Sequence, residues 1–298
     1  MIFHEPVLLK QSVDGLSVKS HGTYVDVTYG GGNHSREILK KLSSKGRLIA
    51  FDQDDDTKSN NIYSSNFLFI SSNFKYLKKF LKLNEIYKVD GILADFGVSS
   101  HQINSRKRGF STRFDGPLDM RMDQKKEFSA KNVINEYPVD DLIKLFKNYG
   151  ELKNAKQLAS IIGVQRSISP ITTTSDLKSI FLEFIPKKYI NKTLAKIFQG
   201  IRIEVNKELD AIKIFLKQAS EVLIPGGKLV CISYHSLEDR LVKRFIRDGT
   251  FDGNIDSDIY GNKNVPFKQI GKVLTPDSDE IFKNNRSRSA KLRIAEKL

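Results

Sequence analysis

The segment VDVTYGGGNHS, residues 25–35, constrains the fold of this chain more than any other feature. An apolar run precedes three glycines, and a helical pattern begins near His34. Gly30, Gly31 and Gly32 let the backbone approach a ligand closely, and the following helix directs its N-terminus at the same space. A strand, a glycine turn and a helix in this order are typical of a parallel α/β sheet that binds a nucleotide-like ligand.

Five short runs rich in β-branched or aromatic residues are predicted strands. They are TYVDV (23–27), RLIAFD (47–52), NFLFI (66–70), DGILADF (90–96) and KLVCISY (228–234). Helical segments such as residues 35–46 separate the early runs. This alternation predicts a parallel, doubly wound sheet.

The alternation stops after the fourth predicted strand. Residues from about 120–222 have an almost entirely helical pattern, which includes one long run over 193–223. The strand pattern resumes after IPGGK, where we predict a turn at 225–227. We therefore predict a discontinuous Rossmann-like domain of residues 1–115 and 205–298, with residues 116–204 forming an inserted all-helical domain for substrate recognition.

Composition excludes several classes of protein. With 298 residues, 39% of them hydrophobic, the chain can form a substantial core without disulfides. The lone Cys231 excludes an intrachain disulfide framework and any multi-cysteine metal site. The first thirty residues lack a signal-peptide pattern, and no run approaches about 18 uninterrupted apolar residues. We expect a cytoplasmic protein without a membrane span or a metal cofactor.

The net charge of +14 favours a polyanionic partner, although a general bias towards lysine gives the same total. The lysines are spread along the chain, whereas arginines cluster in SRKRGFSTR (105–113) and NRSRSAKLR (285–293). Clustered basic residues are typical of proteins that neutralise backbone phosphates. The clusters therefore favour a nucleic acid over the general bias.

The glycine loop also narrows the choice of cofactor. It lacks the last glycine of a dinucleotide-binding loop and the lysine of a phosphate-binding Walker loop. Asp52 lies 20 residues after Gly32, where an acid can hydrogen-bond ribose hydroxyls. Asp26 and Asp52 can also simply cap turns, but Asp95 adds a third carboxylate at the same strand edge. S-adenosylmethionine, which has a ribose but no pyrophosphate, fits this pattern best.

Motifs along essentially the whole chain resemble, in the same order, the bacterial RsmH (MraW) family. They are HEPVLL (4–9), GGNHS (31–35), DFGVSSHQI (95–103), RGFS (108–111), DGPLDMRMD (115–123), FQGIRIEVNKEL (198–209), SYHSLEDRLVKRF (233–245) and NRSRSAKLRIAEK (285–297). The resemblance implies an S-adenosyl-L-methionine-dependent methyltransferase that acts on N4 of a cytidine in the decoding centre of 16S ribosomal RNA. It also implies the assembled small subunit as the substrate.

The resemblance implies a cofactor site made of Gly32, Asn33, His34, Asp52, Phe74, Asp95 and Gln102. Two positions depart from the family pattern, with Asn33 replacing a glycine and His101 replacing a proline. Asparagine tolerates a positive φ, so we expect the loop to keep its shape. By its sequence pattern alone, Phe74 fits an apolar core as well as an adenine-stacking site.

The amine of cytosine is a poor nucleophile because its lone pair is delocalised into the ring. We expect Asp95 to orient this amine or accept its proton, although the segment lacks the paired prolines common in amino-methyltransferases. His235, after the fifth strand, is predicted to line the same pocket. Ser236 and Asp239 are predicted to start the following helix as a capping box.

The segment of residues 108–123 is predicted to wall the target-base pocket and contact RNA, with an internal salt-bridge network as the alternative. The C-terminal basic cluster is predicted to contact the RNA backbone, with a solvated face as the alternative. The predicted RNA contacts are Arg108, Arg113, Arg121, Arg286, Arg288 and Lys291. Two rival functions are a dehydrogenase, which would need a dinucleotide loop, and a noncatalytic RNA-binding ribosome assembly factor.

Overall fold

The computed structural model describes residues 6–60, 62–253 and 265–298, so His4 and Glu5 of the HEPVLL motif lie outside the described residues. The chain divides into two compact units. Met1–Gly97 and Leu209–Leu298 form the sheet unit, and Val98–Glu208 forms the helical unit.

The unit bounds differ from the predicted domain boundaries, most clearly at the first junction. Residues 98–115 belong to the helical unit, whereas the sequence pattern assigned them to the sheet domain. Local pairing explains the difference. The Thr174 hydroxyl donates to the Phe114 carbonyl at 3.0 Å, and the Ser175 amide donates to Asp115 Oδ1 at 3.1 Å. These bonds join the segment to the first turn of a helix in the helical unit.

The described residues of the sheet unit contain a seven-stranded sheet. Its strands are β1 (Thr23–Asp26), β2 (Arg47–Asp52), β3 (Phe67–Ser71), β4 (Val89–Asp95), β5 (Leu223–Ser233), β6 (Phe267–Leu274) and β7 (Lys291–Lys297). The order across the sheet is β3-β2-β1-β4-β5-β7-β6. The first five strands are parallel, whereas β7 is antiparallel to both β5 and β6. The α/β prediction is confirmed, with a mixed rather than wholly parallel sheet.

The fifth strand begins earlier than its sequence pattern indicates. Leu223 already pairs with Val89, and Lys228 pairs with Gly91, so the register shifts between them. The predicted turn at 225–227 therefore lies within β5 as an irregularity. Gly226, with φ of 78°, supplies the left-handed backbone conformation that this irregularity needs.

The helices of the described residues, in chain order, are α1 (Leu9–Gly15), α2 (Asn33–Lys41), α3 (Leu77–Leu83), α4 (Ser100–Asn104), α5 (Ala130–Glu136), α6 (Val139–Asn148), α7 (Ala155–Ile168), α8 (Thr174–Leu182), α9 (Lys187–Asn206), α10 (Glu208–Val222), α11 (Ser236–Asp248) and α12 (Ser278–Lys283). Within the described ranges, none of them combines the length and apolar character that a membrane crossing requires.

The long helix predicted over residues 193–223 is interrupted. Helix α9 ends at Asn206, and Lys207 adopts a left-handed conformation with φ of 51° before α10 begins. The Asn206 side chain accepts from the Met122 amide at 2.7 Å and donates to the Met120 carbonyl at 2.8 Å. These bonds tie the end of α9 to a distant segment of the helical unit, which helical periodicity does not reveal.

The two units have separate hydrophobic cores. In the sheet unit, neighbouring strand residues such as Tyr24 and Val25 are both fully buried but belong to different clusters, one on each face. A sheet buried on both faces explains why its strands are nearly continuous apolar runs. The core of the helical unit includes Phe146, Phe181 and Ile197.

Candidate active site

Three strands that lie side by side in the sheet each end in an aspartate. The carboxyl ends of β2, β1 and β4 carry Asp52, Asp26 and Asp95. Parallel strands bring these ends to one edge, where open α/β sheets bind their ligands. The electrostatic coupling of Asp26 to both of the other carboxylates is consistent with this placement.

The glycine loop is fixed from both sides. The Gly30 amide donates to Asp52 Oδ2 at 2.8 Å, and the Asn60 side-chain amide donates to the Gly30 carbonyl at 3.0 Å. Gly32 precedes α2 with φ of 74°, and a Cβ there would lie 2.8 Å from the Tyr29 hydroxyl. A side chain at Gly32 would therefore strain the backbone and displace Tyr29.

The N-terminus of α2 faces the loop without a side-chain cap. Asn33 is the first helical residue, so the left-handed conformation falls on Gly32 and the expected tolerance of Asn33 for positive φ is not needed. His34 is buried, and burial lowers its pKa to about 4, so the ring is neutral at pH 7. Within the described chain, its Nε2 atom has no hydrogen-bond partner.

Asp26 and Asp52 both organise the surrounding backbone. The buried Asp26 accepts from the Ser35 hydroxyl at 2.7 Å and from the Thr28 amide at 3.1 Å. Asp52 accepts from the amides of Gly30 and Asp54, so the turn-capping alternative describes one of its roles. Burial raises the pKa of each aspartate to about 6.

Asp95 differs from these two aspartates. Burial raises its pKa to about 7; hydrogen bonding by the Tyr234 side chain lowers it, and the Asp26 and Glu238 carboxylates raise it. Its backbone amide donates to the Thr28 hydroxyl at 2.7 Å. Its Oδ1 atom is buried and has no partner among the described residues. Asp95 thus combines an anchored backbone with a carboxyl oxygen that can accept a hydrogen bond.

Phe74 is partly buried beside the same core. Its ring lies 5.9 Å from that of Phe96 and 5.5 Å from that of Phe215, measured between centroids. The apolar-core alternative therefore describes its inner contacts, and its partial burial leaves some ring surface exposed.

Gln102 belongs to α4 in the helical unit and is buried. Its Oε1 atom accepts from the Ser99 amide at 3.0 Å, and its own amide donates to Ser99 Oγ at 3.2 Å. This reciprocal capping box fixes the start of α4 and gives the SSHQ segment a structural role.

His235 caps α11, one residue earlier than the predicted cap. The Glu238 amide approaches His235 Nδ1 at 3.5 Å, and Glu238 Oε2 accepts from the His235 amide at 3.3 Å and from the Tyr234 amide at 2.8 Å. The capping box is therefore His235 with Glu238, and the prediction of Ser236 with Asp239 was wrong. Imidazole and carboxylate accept these amide bonds as a serine or glutamate would.

Most of the arginines predicted to contact RNA in residues 108–123 are engaged internally. Arg108 is only 3% exposed, and its guanidinium donates to the carbonyls of Arg121 and Met122 at 2.8 and 3.1 Å. Arg121 forms a two-pronged ion pair with Asp119. This is the internal network posed as the alternative, and it contradicts the prediction that Arg108 contacts RNA. Arg113, in contrast, is exposed.

The C-terminal basic cluster divides in the same way. Lys291 lies 3.3 Å from Asp239 Oδ2, and the buried Arg293 holds both oxygens of the same carboxylate at 2.7 and 3.2 Å. These ion pairs lower the pKa of Asp239. Arg286 is half-buried and Arg288 is exposed. Arg288 is therefore the better placed of the three predicted contacts to reach a phosphate.

The sequence interpretation missed three contributors to this site: Thr28, Tyr234 and Glu238. Thr28 holds the Asp95 backbone, Tyr234 acts on the Asp95 carboxyl, and Glu238 fixes the turn before α11. Thr28 lies inside the segment 25–35, and Tyr234 and Glu238 lie inside SYHSLEDRLVKRF (233–245), so their place within recognised motifs is the signal that could have identified them.

Comparisons with known proteins agree with this architecture. The MraW methylase family matches residues 1–298. A protein of Flavobacterium johnsoniae named ribosomal RNA small subunit methyltransferase H is 56% identical over 298 residues, covering 100% of this chain and 99% of that protein. Proteins of the same name from Cytophaga hutchinsonii and Bacteroides fragilis are each 51% identical, covering 99% of this chain and 100% and 97% of their own lengths.

The family match confirms the resemblance found in the motifs, and the sheet topology confirms the expected fold. The glycine loop, the acids at the strand ends and the uncapped start of α2 fit a nucleoside-bearing cofactor, because His34 Nε2 and Asp95 Oδ1 are buried without a partner among the described residues. The cofactor class is S-adenosyl-L-methionine, as predicted. The chain therefore belongs to the MraW methylase family of S-adenosyl-L-methionine-dependent methyltransferases.

Proposed function

We propose that this protein methylates N4 of a cytidine in the decoding centre of 16S ribosomal RNA, at the P site, using S-adenosyl-L-methionine. Its substrate is the assembled small ribosomal subunit in the cytoplasm. The names of the relatives support ribosomal RNA of the small subunit as the substrate. The observation that carries the chemistry is the buried, unpartnered Oδ1 of Asp95, on a carboxyl whose pKa is about 7.

The residues proposed to hold the cofactor follow from the geometry of the sheet edge. Gly32, Asn33 and His34 would border its amino-acid portion, Asp52 its ribose, and Phe74 its adenine. When bound, the cofactor would supply an electrophilic methyl group on a sulfonium; the methyl–sulfur bond would break, and its electron pair would remain on sulfur as a neutral thioether. Gln102 is retained from the family resemblance as a further proposed contact.

Asp95 is proposed to act on the acceptor amine. A carboxylate that accepts a hydrogen bond from the cytosine N4 amine fixes its direction and favours its lone pair for attack. As the new N–C bond forms, nitrogen loses one proton, and the carboxylate oxygen is placed to receive it. A pKa of about 7 gives Asp95 a substantial ionised fraction at neutral pH and keeps it basic enough to accept this proton.

Neighbouring residues are proposed to hold Asp95 in position. Thr28 accepts from the Asp95 backbone amide, and Asp26 orders the Thr28 backbone. Tyr234 tunes the carboxyl because its hydrogen bond lowers the Asp95 pKa. His235 is retained as a proposed pocket-lining residue whose immediate contact is Glu238.

RNA is proposed to bind through exposed cations outside this acid cluster. Arg113 and Arg288 are exposed and are the leading phosphate contacts. Arg121, Arg286 and Lys291 are weaker candidates because they are partly buried, and Arg121 and Lys291 are ion-paired. The target base must leave its stack to reach a buried carboxylate, as in other enzymes that modify bases.

The test is transfer of labelled methyl to small subunits and, separately, to protein-free 16S RNA, both from cells that lack this enzyme. Nuclease digestion and nucleoside mass analysis then identify the product. N4-methylcytidine formed on subunits supports the proposal, and the ratio between the two substrates measures the need for assembled context. Subunit binding without methyl transfer would instead favour a noncatalytic assembly factor.

A further inference from the structure

The connection between α8 and α9 exposes apolar and basic side chains together. We call residues 182–192 the α8–α9 corner. Leu182, Phe184 and Tyr189 are 60%, 53% and 53% exposed, respectively. Lys187, Lys188 and Lys192 are also exposed, with Glu183 as the single acid of the segment. Large exposed side chains of this kind, flanked by polar groups, are typical of a binding surface.

The charges of the corner lysines are not balanced locally. Elsewhere in the helical unit, the exposed Lys144 and Lys207 each pair with a carboxylate three residues earlier, Asp141 and Glu204 respectively. Within the described ranges, the three corner lysines pair with no carboxylate, and Lys188 Nζ lies 5.6 Å from the centre of the Tyr189 ring. Two of them also occupy the first turn of α9, where the helix dipole disfavours cations. The pattern therefore raises positive potential at some cost to the helix.

The backbone that carries the exposed apolar side chains is anchored to the core of the helical unit. Ile185, between Phe184 and Pro186, is buried in the core of the helical unit. The amides of Phe184 and Ile185 both donate to the Phe181 carbonyl, at 3.2 and 3.1 Å. The connection is thus anchored from inside while Phe184 remains outside. An aromatic ring on an anchored backbone, beside cations, is suited to stack on an unpaired base because the backbone need not be ordered on binding.

The charge of the whole unit favours the same class of partner. Residues 98–208 contain 20 basic and 12 acidic residues, so just over a third of the chain carries +8 of its +14 net charge. The methylase family and the proposed function supply a polyanion with unpaired bases. We propose that the α8–α9 corner binds a single-stranded segment of ribosomal RNA, with phosphates at the lysines and bases on Phe184 and Tyr189. This inference rests on the proposed function and deepens it.

The chain contains no tryptophan, which permits a direct test. In the otherwise intact protein, Tyr189→Trp places a single tryptophan at the corner, which can be excited selectively over the tyrosines, and Tyr87→Trp places one at an exposed site of the sheet unit as a matched control. A single-stranded RNA of about 20 nucleotides is expected to quench the fluorescence of Tyr189→Trp but not that of Tyr87→Trp. Equal quenching of both variants, or a response of Tyr189→Trp only to vesicles of anionic phospholipid, would overturn the proposal.

Lysine substitutions test the charge component independently of stacking. Neutralising Lys187, Lys188 and Lys192 to Gln should lower the salt dependence of RNA binding by about 2 in the slope of log K against log [salt]. Neutralising Lys147, Lys153 and Lys156, exposed lysines on or near α6 and α7, changes net charge equally and should leave that slope much less affected. Equal effects of the two triple variants would contradict a local site.

Failure of this inference is distinguishable from failure of the proposed function. If the corner binds RNA, the triple Lys→Gln variant should raise KM for small subunits more than it lowers kcat, with unchanged affinity for S-adenosyl-L-methionine. If the wild-type protein transfers no methyl group but RNA still quenches the fluorescence of the Tyr189→Trp variant, the proposed function is wrong and RNA binding by the α8–α9 corner is supported. Normal methyl transfer without quenching of that variant would contradict RNA binding by the α8–α9 corner but not the proposed function.

Discussion

Charged side chains at the sheet edge and in residues 108–123 have opposite roles. At the edge, Asp95 Oδ1 is buried and has no partner among the described residues, and burial raises the pKa of this carboxyl to about 7. In the other region, Arg108 and Arg121 find internal partners in backbone carbonyls and Asp119. A buried charge with hydrogen-bond partners stabilises the fold. A buried polar atom without a partner lowers the free energy of unfolding, and such atoms are common at functional sites.

The largest expected effect is on catalysis at Asp95. Asp95→Asn keeps the size of the side chain but removes the proton acceptor, so the single-turnover rate of methyl transfer should fall about 10²- to 10⁴-fold. In the wild type, the rate should rise as pH increases through about 7, because the ionised form is the acceptor. A rate within twofold of wild type, with unchanged cofactor affinity, would refute the assigned role.

The second-largest expected effect is on stability, at the internally bonded Arg108. Arg108→Ala leaves the carbonyls of Arg121 and Met122 without these donors, so the free energy of unfolding should fall by about 3 kcal/mol. Arg113→Ala, at an exposed position, should change it by less than about 0.5 kcal/mol. Denaturant unfolding of both variants measures this contrast. Equal stabilities would mean that the internal bonds of Arg108 contribute little.

A smaller effect on stability is expected when alanine replaces Gly32 or Gly226, and cofactor affinity distinguishes the two substitutions. Gly32→Ala combines a left-handed backbone with a Cβ 2.8 Å from the Tyr29 hydroxyl, and should cost about 2 kcal/mol of stability and weaken cofactor binding. Gly226→Ala has the same backbone strain but no atom within 4 Å of its Cβ, and should cost about 1 kcal/mol. Isothermal titration should show cofactor affinity lost only in Gly32→Ala.

Taken for each pH unit, the smallest effect is the pH dependence of stability. The folded-state pKa of Asp95 is raised above its ordinary value of 3.8, so its contribution to stability is present at low pH and lost as pH rises towards about 7. Asp95→Asn should therefore gain stability relative to wild type as pH rises from about 4 to about 7, by on the order of 1 kcal/mol for each pH unit. Urea unfolding across this range gives the difference, and a constant difference would show that Asp95 does not titrate there.

The structure differs from the sequence-based predictions mainly in hydrogen-bond partners, one helix end and the burial of one arginine. Sequence spacing identified a capping box near α11 but placed it one residue late, because a histidine rarely signals an N-cap. Helical periodicity continued through Lys207, because apolar spacing does not register a single left-handed residue. Clustered arginines indicated RNA contacts, yet burial and backbone carbonyls decided the role of Arg108.

The sequence by itself determined the α/β class, the glycine loop, the three aspartates at strand ends and the methylase family. These features depend on local order along the chain, where a strand, a turn and a helix follow from neighbouring residues. Only the tertiary structure decided the antiparallel β7, the unit boundary at Gly97, and which charges are satisfied. Burial and hydrogen bonding join residues distant in sequence, so the raised pKa of Asp95 is a property of the folded chain.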